Sequence, residues 1–231
     1  MADTAQFSNL AAVGPAICVK AVIFDMDGVI VDSEPRHERA FLEVARELGY
    51  ESVGLRFADY IGRSDKELWI DFVARHNPKR SLEELLAMKR QRMIEIIRCE
   101  QPLFEGLVPL VQRLADCYRL AVASGSERAV IDEVLNLEGL RHFFAVVVSG
   151  SEVSRGKPAP DIFLRTAELL GVLPKECCVI EDSKPDVAAA LAAGMQVIAI
   201  TNTLPAEELR QATHIVSAYS EIGRLLIASP S

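Results

Sequence analysis

One apolar run stands apart from others of its kind. Residues 20–25 read KAVIFD, β-branched and too short for a helix, which predicts a buried strand. The next such run, residues 120–124, comes only after a stretch from Glu34 to Glu100 whose pattern is helical throughout. In that stretch Phe41, Leu42, Ala45 and Leu48 recur at helical spacing, and Gly49 suits a C-terminal stop. Leu68, Trp69, Phe72 and Val73 mark a second helix. Ser81-Leu-Glu-Glu84 is a capping-box pattern opening a third, which runs through Met88, Met93 and Ile97.

Beyond Pro102 strands and helices alternate. Helices are expected at 108–115, 128–137, 186–193 and from Pro160 to Leu170, and strands at 120–124, 144–149, 177–180 and 196–200. Such alternation predicts an α/β, Rossmann-like, doubly wound parallel sheet. Sheets of this kind bind ligands at the carboxyl ends of their strands. The helical stretch leaves the core just after the first strand, so it is expected to lie over that edge as an inserted cap. The expected organisation is an N-terminal extension (1–19), a core built from 20–34 and 103–231, and a helical cap (35–102).

Composition narrows the function. In 231 residues, 25 Lys and Arg oppose 33 Asp and Glu, a formal charge of −8, and half the residues are hydrophobic. Disorder is excluded by that apolar content. An acidic chain of pI about 5.1 lacks the basic footprint of a nucleic-acid binder. No apolar stretch approaches the ~20 residues that span a bilayer. Asp3 precedes the apolar opening run and no basic segment does, which argues against an export signal. Cys18, Cys99, Cys117, Cys177 and Cys178 form neither a disulfide framework nor a CxxC pair. A cytoplasmic protein, monomeric or weakly self-associating, is expected.

Four short segments carry chemistry. Asp25-Met-Asp27-Gly28 places two carboxylates two apart at a strand end, suited to a hard cation or to a nucleophile with a general acid/base, and equally to a satisfied loop. Ser124-Gly125-Ser126 ends the second strand with a hydroxyl and open amides, an anion site or a plain helix cap. Lys157 lies between Gly156 and Pro158 just before a helix, and Glu181-Asp182-Ser183 follows another apolar strand. All four fall at the same expected sheet edge. Carboxylates, a hydroxyl, an ammonium and amides together suit a phosphate ester held between a cation and a lysine.

The order DxDG, SG, KP, ED resembles the haloacid dehalogenase superfamily, and its β-phosphoglucomutase-like branch of phosphatases and mutases. The resemblance spans roughly residues 20–228 and implies a Rossmann-like core with a helical cap. It implies Asp25 as a nucleophile forming an aspartyl-phosphate and Asp27 as the acid/base. Ser124, the Gly125 amide and Lys157 would hold the phosphoryl group. Mg2+ would sit on Asp25, the backbone carbonyl of Asp27, Asp182 and Glu181. The dehalogenase and phosphonatase branches lack an acid at the position of Asp27, so those chemistries are not expected. Asp186 departs from the branch, which has Gly there; it suits either a group orienting Lys157 or a helix N-terminal charge.

On the cap, the resemblance matches His37 to a histidine that helps couple cap closure to catalysis in the mutases, with a plain cap-helix surface residue as the open alternative. It also places Arg63 and Ser64 in the specificity loop, where an arginine contact to substrate and an exposed arginine are both open. The mutase carries an arginine where Asp65 stands here, which favours hydrolysis of a small phosphorylated metabolite, a sugar or polyol phosphate, over a mutase. A non-catalytic metabolite sensor is the alternative from another class.

Overall fold

The computed structural model describes residues 19–60 and 65–227. Nearly all of the expected extension, and the specificity-loop candidates Arg63 and Ser64, lie outside the described residues.

The isolated apolar run forms β1 (Ala21–Phe24), every residue of it buried. It occupies an interior position in a six-stranded sheet of order β3-β2-β1-β4-β5-β6. Here β2 is Arg119–Ser124, β3 Phe144–Ser149, β4 Cys177–Glu181, β5 Gln196–Ile200 and β6 His214–Val216. All pairings are parallel. Strand order reverses at β1, with Phe24 in register with Val122 of β2 and Ile180 of β4. A crevice at the carboxyl ends of these three strands is therefore the natural ligand position.

The pleat sorts the core into two layers, because successive side chains point to opposite faces. Val22, Phe24, Val122 and Ile180 pack on one face with α4 (Leu107–Ala115), α5 (Arg128–Asn136) and α8 (Tyr219–Leu226). Ala21, Ile23, Ala121, Ala123 and Val179 pack on the other with α6 (Asp161–Leu170) and α7 (Lys184–Ala192). A third apolar cluster lies wholly within the long insertion. It joins α1 (Glu34–Glu47), α2 (Asp65–His76) and α3 (Leu82–Glu100) through Phe41, Trp69, Phe72 and Leu85. Phe41 meets Trp69 edge-on at a centroid distance of 4.8 Å. Met93, Ile96 and Ile97 of α3 also join the first layer, so the insertion is docked as well as tethered.

The two crossings between core and insertion run side by side. Asp32 N–H donates to Pro102 O at 2.9 Å, and Val31 forms an antiparallel bridge with Leu103. Arg36 ties the same ends together, reaching Asp32 at 2.5 Å and Glu100 at 3.0 Å.

Ser81 caps α3 as expected, accepting from Glu84 N–H at 3.2 Å while Glu84 accepts from Ser81 N–H at 2.8 Å. Three expectations need correction. Pro160 is the cap residue preceding α6 rather than part of its first turn. Helix α7 begins at Lys184, two residues before Asp186, with Pro185 in its first turn. Among the described residues the sheet has a sixth strand, β6, whose three residues carry too little pattern to register in the sequence, and the fold an eighth α-helix, α8, not expected from the sequence. Among the described residues no helix is long and apolar enough to cross a membrane.

Candidate active site

The strands β1, β2 and β4 each present a polar residue at or just past their carboxyl end, all at the same edge. Asp25 follows β1, its N–H donating to Ile180 O at 3.0 Å. Ser124 is the last residue of β2 and Glu181 the last of β4. Parallel pairing in register brings them together although the sequence separates them widely.

Lys157 is the hub. Its ammonium reaches Asp25 Oδ1 at 2.6 Å, Asp186 Oδ2 at 2.7 Å and Glu181 Oε1 at 2.8 Å. An ammonium has three donors, and all three are used. The Lys157–Pro158 peptide is cis, and the Phe163 ring centroid lies 5.0 Å from Nζ. Asp186, ambiguous in the sequence, thus contacts Lys157 directly.

Around this hub Asp25, Glu181 and Asp182 present one carboxylate oxygen each, all within 4.8 Å of one another and all buried. Burial pushes the Asp25 carboxyl well above the usual range; Lys157 opposes that shift, and Asp186, Asp27 and Asp182 add to it. Burial likewise raises Glu181, with Asp186 adding to the shift. Asp182 is pushed up to about 7, chiefly by burial. Burial disfavours the Lys157 charge, but Asp186, Asp25 and Glu181 outweigh it and hold the ammonium well above the usual lysine value. Three carboxyl groups therefore share the Lys157 ammonium, and the Asp182 carboxyl lies beside them without a bond to it. A cluster of hard oxygen donors with surplus negative charge fits a divalent cation such as Mg2+.

The Asp27 carboxylate stands apart from that cluster. It accepts from Ser126 Oγ at 2.7 Å and lies 3.3 Å from His37 Nε2 and 3.4 Å from Ser124 Oγ. Burial works against its charge, but hydrogen bonds from His37 and Ser126 prevail and hold the carboxyl well below the usual range. Behind His37 stands Lys89, 1% exposed, its ammonium 2.5 Å from His37 Nδ1 and also bonded to Asp65. Lysine only donates, so Nδ1 accepts and Nε2–H points at Asp27. The acceptor side of Ser124 Oγ takes Ser126 N–H at 3.0 Å. A Cβ added at Gly125 would meet nothing within 4 Å, which leaves open space there for an anion.

The structure thus gathers Asp25, Asp27, Ser124, Gly125, Lys157, Glu181, Asp182, Asp186 and His37 at one edge. Sequence reasoning missed Ser126, Lys89 and Asp65 as members of the network. Ser126 was legible as part of the strand-end motif; Lys89 looked like an ordinary helix lysine.

A family model of haloacid dehalogenase-like hydrolases matches residues 19–194. The chain belongs to this family. Among curated relatives, fructose-1-phosphate phosphatase YqaB of Escherichia coli K12 is 34% identical over 77% of this chain and 94% of its own length. Hexitol phosphatase B of the same strain is 30% identical over 90% of this chain and 93% of its own. Among solved structures, CbbY from Rhodobacter sphaeroides in complex with xylulose-(1,5)bisphosphate superposes with TM-score 0.79 at 25% identity, covering 89% of this chain and 96% of that one. A β-phosphoglucomutase from Clostridium difficile gives 0.73 at 26% identity, covering 88% and 93%.

Proposed function

We propose that this haloacid dehalogenase-like hydrolase is a Mg2+-dependent phosphomonoesterase for a small sugar or polyol phosphate, acting through an aspartyl-phosphate. The observation that carries this is Lys157 bonded to Asp25 beside a buried three-carboxylate cluster. In the first step an Asp25 carboxylate oxygen attacks phosphorus, the bond to the ester oxygen breaks, and Asp27 gives that oxygen a proton. In the second, water attacks the phosphorus of the aspartyl-phosphate, Asp27 takes its proton, and the bond to Asp25 breaks to release phosphate. Splitting the displacement lets one well-placed carboxylate do what water alone does slowly. Lys157, Ser124 and the Gly125 amide hold the transferring group. The metal, held by Asp25, Glu181, Asp182 and the Asp27 carbonyl, would neutralise charge on the phosphoryl oxygens.

Asp27 is held ionised here, the form that accepts a proton from water. Turning toward a leaving oxygen would cost it the Ser126 and His37 contacts, and burial would then favour the protonated form. Helices α1–α3 act in this proposal as a cap over the site, and Asp186 keeps Lys157 aimed at Asp25. The fructose-1-phosphate and hexitol phosphatases support the sugar or polyol class. Asp65 stands where the mutase carries an arginine and is itself paired with Lys89, so that position offers no free cation for a second phosphate, which weighs against the mutase alternative.

Phosphate release from a panel of sugar and polyol phosphates, with p-nitrophenyl phosphate as a generic substrate, tests this with and without Mg2+. Hydrolysis only with the metal is expected. No release from any substrate would sink the proposal, and conversion of β-glucose 1-phosphate to glucose 6-phosphate would replace it with the mutase.

A further inference from the structure

The loop after β1 carries Asp27 and folds back on itself. The amides of Val29, Ile30 and Val31 all point at Met26 O, and Gly28 N–H donates to Val31 O at 2.9 Å. This leaves the carbonyls of Gly28 and Val29 facing away from the loop. Both are taken by side chains from the last third of the chain. Asn202 Nδ2 donates to Gly28 O at 2.8 Å and to Tyr219 Oη at 2.9 Å. Tyr219 O–H in turn donates to Val29 O at 2.5 Å. Both amide hydrogens of Asn202 and the phenol hydrogen are consumed, so the three groups form a closed bracket. The Phe104 ring lies beside that of Tyr219, tilted by 34° with centroids 6.1 Å apart.

The neighbouring residue faces the other side of the site. Thr203 Oγ1 stands beside the Asp182 carboxylate. Gly28 fills the gap between them: a Cβ there would lie 1.8 Å from Asp182 Oδ2 and 2.8 Å from Thr203 Oγ1. One dipeptide after β5 therefore touches both halves of the acidic edge, the Asp27–Gly28 loop through Asn202 and Asp182 through Thr203.

We propose that Asn202, Thr203 and Tyr219 are positioning residues that set the spacing between the Asp27–Gly28 loop and Asp182, and so tune divalent-cation affinity. They touch neither the reacting carboxylate Asp25 nor Lys157; they act through the groups they hold. The inference rests on the metal-dependent reading above, and its test is read by metal binding as well as turnover.

The experiment measures Mn2+ binding to wild type and to Asn202→Ala, Thr203→Val, Thr203→Ser and Tyr219→Phe by electron paramagnetic resonance. It adds melting temperatures in EDTA, and kcat and KM for p-nitrophenyl phosphate. Outer groups that orient metal ligands shift affinity by about 10–100-fold when removed. Asn202→Ala and Thr203→Val are expected to weaken Mn2+ binding by about tenfold or more and to lower kcat, with KM changed less than about threefold. Thr203→Ser keeps the hydroxyl and should restore Mn2+ affinity. Tyr219→Phe keeps the ring and should fall in between. Mn2+ affinity within about twofold of wild type in the Asn202 and Thr203 variants would overturn the inference, as would a serine variant as impaired as the valine one. Wild type that binds no Mn2+ would overturn it too. Wild type that binds Mn2+ tightly yet hydrolyses no phosphate ester would instead refute the proposed function, leaving the bracket to be judged on affinity alone.

Discussion

Replacing Lys157 with methionine removes the one cation from a cluster of buried carboxyls and leaves a side chain of similar bulk. Lys157 is 8% exposed, and its partners Asp25, Glu181 and Asp186 are 4%, 0% and 18% exposed, so solvent screens little of the loss. Breaking a buried ion pair by removing one partner costs about 3–5 kcal/mol. For a chain of this size each kcal/mol shifts the melting temperature by about 2–4 °C, so the variant should melt about 6–20 °C lower near pH 8 in EDTA. The deficit should shrink in acid. Asp25 and Glu181 have folded pKa values raised above their unfolded ones. The folded state therefore binds more protons, and stability falls as pH climbs from the unfolded carboxyl range toward the folded values. Without the ammonium those folded values rise further, and the acid-to-base fall in stability steepens. Thermal unfolding from pH 5 to pH 8, in EDTA, reads this directly. A Lys157→Met protein melting within about 2 °C of wild type at pH 8 would refute the charge-balance reasoning.

Other perturbations probe separate parts of the site. Asp25→Asn should abolish turnover while the protein keeps its circular dichroism spectrum; full activity would remove Asp25 as nucleophile. Saturating Mg2+ at about a hundred times its Kd should stabilise the fold by about 2.7 kcal/mol, raising the melting temperature by about 5–11 °C, and EDTA should reverse this. Gly28→Ala should destabilise the fold by about 3 kcal/mol or more in chemical denaturation, because φ is 76° and the new Cβ would collide with Asp182. A milder loss would mean the loop yields. Burial pushes the thiols of Cys177 and Cys178 up to about 11 and about 12. Iodoacetamide at pH 8 should therefore label exposed Cys99 and Cys117 in the native protein, and the adjacent pair only after denaturation, as peptide mass mapping would show.

Much of the architecture was legible because its signals are local. The strands β1, β2, β3 and β5 are short apolar runs flanked by polar residues, and their register follows from parallel pairing. Asp25, Ser124 and Glu181–Asp182 stand where the apolar runs of β1, β2 and β4 stop, whereas Lys157 reaches the same edge from the loop before α6. What escaped was tertiary. The three-residue His-Ile-Val of β6 buries only Val216 well, leaving Ile215 half exposed, too little for a periodic signal. Lys89 shows no distinguishing neighbour in the sequence; it is buried because His37 and Asp65 converge on it from other helices. Asn202 and Tyr219 lie beyond the last strand expected from the sequence, and their contacts appear only once Gly28 and Val29 turn their carbonyls outward. Asp186 satisfies both of its readings, standing in the first turn of α7 and 2.7 Å from the Lys157 ammonium.

The paired crossings between core and insertion have a consequence for how such chains diversify. Because Val31 meets Leu103 and Asp32 meets Pro102, the core presents two cut ends side by side rather than two distant attachment points. Any helical segment whose own ends lie a few ångströms apart could be spliced there without altering strand order. The α1 residue Ala40 and the α3 residues Met93, Ile96 and Ile97 would need matching replacements, since they lie against the sheet layer. Recombination can thus exchange what sits above the carboxylates while the carboxylates themselves are inherited unchanged. A replacement segment would still have to supply a partner for Asp27, because His37, which lies 3.3 Å from it, stands on α1 of the insertion.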